Sequence, residues 1–146
     1  MSGFETNLRT GIAAALNTAA IGVWREASAY AAGETAIVFG TFPQDPARAV
    51  CLSLYGVGDE PSLSDSTIGL QVRTRWDGQD PRLVDDLAAL VLDYLHGKTD
   101  WTLSTGVHVV QCLRKSWVPL GQDTNGRWER SDNYYLDVWQ PSANRT

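Results

Sequence analysis

With 146 residues (16.0 kDa), 43% of them apolar and 20% charged, the chain is long enough for one self-supporting core. Its net charge of −5 and pI near 4.8 argue against a dedicated nucleic-acid binder, which carries a basic balance. No apolar run approaches the roughly 18 residues of a membrane span, and MSGFETNLRT lacks the basic and apolar regions of a signal peptide.

Ser2-Gly3-Phe4-Glu5 fits the S-x-x-E capping box, and Leu8, Ile12, Ala15 and Leu16 follow at helical spacing. A first helix is therefore predicted over residues 3–17, with a short-sided remainder suited to close packing on a sheet. Residues 21–25 are a short extended candidate, and residues 26–34, rich in small side chains, read as a loop. Residues 35–39 and 47–55 are predicted strands, the second placing Val50, Leu52 and Leu54 on one face. Residues 56–66 crowd Gly, Asp, Glu, Pro and Ser, so they read as a long exposed loop.

The clearest stretch is residues 67–97. Ile68, Leu70, Val72 and Trp76 alternate with Gln71, Arg73 and Arg75, the pattern of a strand with one buried face. Asp77-Gly78-Gln79 turns the chain. Asp80 suits an N-cap and Pro81 the first helical position. Leu83, Leu87, Leu90, Val91 and Leu95 then form the expected buried stripe of a helix of about 15 residues, roughly 22 Å long. Asp85, Asp86 and Asp93 lie mostly off that stripe. His96 in the last turn and Gly97 at C′ close the helix.

Residues 98–105 read as a connection, and residues 106–117 as a strand greasy on both faces and central in the sheet. Asn125-Gly126 signals a reversal. Residues 131–139 form a last strand, with Tyr134, Leu136 and Val138 sharing a face. The expected architecture is an α/β (α+β) single domain over residues 1–140. It comprises a mixed four- to five-stranded sheet with two helices packed on one face, followed by a loose polar tail, 141–146.

Chemistry is sparse. Cys51 and Cys112 lie in apolar runs with no CxxC or histidine pair, so they read as reduced, buried hydrophobes. Asp77, Asp80, Asp85 and Asp86 could suggest a metal-dependent hydrolase. Capping and the helix dipole explain them better, and Asp85 and Asp86 point about 100° apart. Neither His96 nor His108 accompanies a nucleophile motif. No cofactor, metal site or catalytic residue is expected. Arg73 and Arg75, with Arg114 and Lys115 on another strand, read either as a solvated sheet face or as a basic stripe pairing a neighbour's acidic helix face. Arginine's planar fork suits the second role. Arg127, Arg130 and Asn133, beside the turn, form a second candidate surface or a local hairpin network.

Two segments, GLQVRTRWDGQDPRLVDDLAALVLDYLHG and LGQDTNGRWERSDNYYLDVW, resemble the minor capsid, or tail terminator, proteins of long-tailed bacteriophages. Gln71, Arg73, Arg75, Asp80, Asp85, Leu95 and Gly97 carry the first likeness. Gly121, Asp123, Gly126, Arg127, Arg130, Ser131, Asn133 and Tyr134 carry the second, and TFPQDPARAVCLSLYG extends it. Trp76 departs from the family's usual glycine. The resemblance implies a mixed sheet flanked by helices, and a virion protein assembled in the host cytoplasm. It implies a ring, hexameric in the family, that caps the head-proximal end of the tail tube and stops its polymerisation. Its partners would be further copies of itself, the tail tube protein and a head-completion or stopper protein, with DNA passing through the lumen unread. Arg73, Arg75, Asp85, Asp86, Asp93, Arg127, Arg130, Asn133 and Tyr134 are the candidate interface residues. The alternatives are another connector component, stopper or tube subunit, and more remotely the hydrolase.

Overall fold

The computed structural model describes residues 2–145. In chain order the elements are α1 (Phe4–Thr18), β1 (Val23–Trp24), β2 (Ala36–Phe39), β3 (Ala49–Asp59), β4 (Asp65–Trp76), α2 (Arg82–Leu95), β5 (Thr99–Thr102), β6 (His108–Gln122) and β7 (Trp128–Trp139). The strands form one sheet in the order β1-β2-β3-β4-β7-β6-β5. β1, β2 and β3 run parallel, and every later pairing is antiparallel.

The period-two alternation builds the buried face as expected. Leu52 lies opposite Val72, Leu70 opposite Tyr134, and Ile68 opposite Leu136. Onto these side chains α1 lays Leu8, Ile12 and Leu16, and α2 lays Leu87, Val91 and Leu95, all in one cluster. Both helices therefore cover the same face. Burying those six side chains contributes on the order of 10 kcal/mol before entropy is counted, which stabilises helices that would be marginal alone. Gly11 brings α1 close to the turn after β5. A Cβ there would meet Thr105 Oγ1 at 2.7 Å, and that hydroxyl donates to the Asn7 carbonyl at 2.5 Å.

Several expectations need correction. The sheet has seven strands, not four or five. Four residues carry too little periodicity to predict β5, yet TDWT pairs with the start of β6. The expected loop over residues 56–66 is mostly hairpin: β3 runs on to Asp59 and β4 begins at Asp65, with a bulge between Gly56 and Gly58. A ladder of exposed polar residues has the composition of a loop, so turn signals alone could not separate the two. β6 lies next to the edge strand rather than at the centre. It extends to Gln122.

At the helix ends, α1 starts from Gly3 with no side-chain cap, so the Ser2–Glu5 box does not form. Asp80 Oδ1 accepts the Arg82 amide at 3.0 Å ahead of a helical Pro81, close to the expected start of α2. Leu83 and Leu90, expected in the buried stripe, are exposed, Leu90 at 53%. Val84 and Ala88 take their places, so the helix is rotated from the predicted orientation. His96 has left the helix in extended backbone, and its Nδ1 accepts the Arg114 amide at 2.9 Å. The polar tail is held: Arg145 donates to the carbonyls of Leu63 (2.6 Å) and Asp65 (2.5 Å). Thr146 lies outside the described residues.

Candidate functional site

The arginines expected on an open sheet face are largely engaged within the subunit. On the face away from the helices, residues 41–48 fold over β4. Arg75, only 3% exposed, donates to the carbonyls of Ala47 (2.7 Å), Pro43 (2.7 Å) and Pro46 (2.8 Å). Its guanidinium also stacks 4.7 Å from the Phe42 ring. Burial pulls its pKa below the ordinary arginine value. Arg75 is thus a pin for its own loop, which corrects the exposed-stripe expectation. Arg73 stacks on the same ring at 4.9 Å and pairs with Glu129 at 2.9 Å.

Arg130 follows the same logic on the helix-covered face. It bonds Asp132 Oδ1 at 2.8 Å and Asp85 at 3.1 Å, and stacks 4.1 Å over Trp117. Burial works against its charge, but the carboxylates of Asp132 and Asp85 outweigh that and raise its pKa. β7, β6 and the first turn of α2 are tied together by this one cation. Arg114 adds a longer contact to Asp132, 3.4 Å. Arg127 bonds Asp123 at 2.9 Å and the Gln44 carbonyl at 2.5 Å, while Asp123 Oδ1 caps the amides of Asn125 and Arg127. The local hairpin network anticipated as an alternative is therefore present.

Tyr134, taken as an interface candidate, is fully buried on the core face. Its parity with Leu136 and Val138 already pointed inward. Asn133, on the opposite face, accepts a hydrogen bond from Tyr55 Oη at 3.2 Å. Asp86 and Asp93 stand exposed on the outer side of α2, on either side of Leu90.

Among the described residues no three His, Cys, Asp or Glu side chains converge as a metal site. A concavity of about 420 Å³ forms an open groove beside the β3–β4 hairpin, where Asp59, Glu60, Asp65 and Asp137 surround Val57 and Val110. Cys51 and Cys112 are buried thiols. Burial pushes Cys112 up to about 12.

Periodicity does not reveal where the exposed apolar side chains gather. Tyr55 and Val57 stand on the far end of β3, and Trp117, Val118 and Leu120 on the far end of β6. Trp117 and Val118 are adjacent apolar residues with no alternation, and the Pro119 and Gly121 that follow have the composition of a turn.

Fold and surface together describe a small α+β building block, whose buried charges brace its own sheet and whose apolar side chains surface along strand edges. The sequence matches the family described as bacteriophage tail terminator protein over residues 15–139, and the chain belongs to that family. It is a structural component of the phage tail. The fold is similar to a chain in the virion of a native gene transfer agent particle, with a TM-score of 0.55 and 17% identity over 70% of this chain and 78% of that one. No curated protein matches the sequence.

Proposed function

We propose that copies of this chain close into a ring, six by the family resemblance, at the head-proximal end of the tail tube. The ring ends tube polymerisation and presents its other side to a head-completion or stopper protein. Family membership across residues 15–139 carries the reading. The net charge of −5 supports a lumen through which DNA passes without sticking. On α2, Asp86 and Asp93 are exposed and free of ion pairs among the described residues, which suits a contact with a neighbour or the tube.

Deleting the gene from its phage tests the assignment. Overlong tails without heads are the expected outcome. Tailless full heads would instead mark a tube subunit, and heads that leak DNA would mark a stopper.

A further inference from the structure

Two long strands of the sheet, β3 and β6, each lose one neighbour partway along their length. β5 covers β6 from His108 to Gln111, and His96 then takes the Arg114 amide. From there residues 115–120 run exposed, with β7 on one side and, among the described residues, no strand on the other. β2 covers β3 only from Ala49 to Leu52, leaving residues 55–60 exposed beside β4 or its turn. The two open edges lie on opposite sides of the sheet. Between them they hold five of the ten exposed large apolar side chains of the described residues, namely Tyr55, Val57, Trp117, Val118 and Leu120. Uncovered edges with apolar side chains invite strand pairing.

Resting on the ring reading above, we infer that the ring closes through these edges: residues 115–120 of one copy add antiparallel to residues 55–60 of the next. The sheet then continues from subunit to subunit. Charge selects the direction. Asp59 and Glu60 end one edge and Lys115 begins the other, so antiparallel pairing brings them together. Parallel pairing would set Glu60 against Leu120 instead.

Topology selects the same direction independently. Three antiparallel steps lead from β3 through β4 and β7 to β6, so β3 and β6 run opposite ways within one subunit. An antiparallel junction between copies therefore keeps every copy pointing the same way along the axis. Rotational closure of a head-to-tail ring requires this, whereas a parallel junction would invert alternate copies.

The edges are also staggered. Register runs from Tyr55 to Gly69, Tyr135 and Leu113, so one open edge lies toward the β6–β7 turn and the other toward the β3–β4 turn. Four strands at about 4.8 Å spacing, offset by roughly five residues at about 3.3 Å each, lean by about 40°, which is within the tilt of closed barrels. Among the described residues nothing lies within 4 Å of a Cβ added at Gly56 or Gly58, leaving room for the Trp117 ring. Pro119 lacks an amide and shortens the ladder, a device that also restrains indiscriminate pairing of a lone edge.

The test uses the full chain with mass photometry. Wild-type protein that stays monomeric, alone and with tail tubes, overturns the ring reading and this interface with it. With wild-type rings in hand, Glu60→Lys and Lys115→Glu should each cut the ring population at least tenfold, and the double swap should restore it. Unchanged thermal melting confirms folding. In parallel, a Val57→Cys/Val118→Cys chain is oxidised and run on a non-reducing gel. A ladder of covalent multimers, absent from either single variant, supports the junction. Rings undiminished by the charge reversals, together with no ladder, overturn this junction and leave the ring reading standing.

Discussion

The Tyr55 ring lies flat across Gly69 on the neighbouring strand: a Cβ at Gly69 would fall 2.1 Å from its Cζ. The same ring sends its hydroxyl on to Asn133, two strands away. One aromatic thus spans β3, β4 and β7 on the face the helices leave uncovered, and only a glycine beneath it allows that. Gly69→Ala should destabilise the chain by about 2 kcal/mol, as overpacking does. Tyr55→Ala/Gly69→Ala should lose less than the two single changes added. Denaturant unfolding of the four proteins checks the coupling; full additivity would remove the contact.

Arg130 compensates buried carboxylate charge, so its removal should hurt more than its own lost contacts suggest. Arg130→Met leaves Asp132, 2% exposed, with only the longer Arg114 contact. A loss of about 3 kcal/mol is expected in urea unfolding. The double change Arg130→Met/Asp132→Asn should recover part of it. No recovery would mean that packing against Trp117, rather than charge, holds the residue.

For Arg75, lysine is not a conservative replacement. Its single ammonium cannot reach three carbonyls held in a fork geometry. Arg75→Lys should lower stability by about 2 kcal/mol and expose residues 41–48 to limited proteolysis. Cleavage there at the wild-type rate would show that the loop holds without the pin.

How legible was this in the sequence? The core was legible because alternation is a local signal: Ile68, Leu70 and Val72, then Tyr134, Leu136 and Val138, face inward as their period demands. The placement of Arg75 was not. Its burial depends on residues 43–47 folding over β4 from some thirty positions away, and no local pattern encodes that. Leu83 and Leu90 show the limit of helical periodicity, which fixes a stripe's width more firmly than its rotation. The open ends of β3 and β6 escaped for a related reason. Gly56, Gly58 and Pro119 read as breakers because an edge tolerates what a central strand does not.

Acid should loosen the β6–β7 turn. Against the penalty of its burial, the amides of Arg127 and Asn125 and the Arg127 side chain hold the Asp123 carboxyl below its ordinary range. A depressed folded pKa means that this stabilisation is present above the unfolded value of about 3.9. It is lost as pH falls from there through the folded value. Asp123→Asn should therefore narrow the gap in melting temperature between pH 6 and pH 3. An unchanged gap would assign the acid sensitivity to other carboxylates.

We propose that this chain assembles with copies of itself into a cap for the tail tube. Mixing purified protein with preformed tail tubes and imaging the tube ends by cryo-electron microscopy tests it most directly. The expected result is a closed ring of this chain on one end of each tube, with no further elongation when free tube subunits are added. Bare ends on both sides, with elongation continuing unchecked, would contradict it.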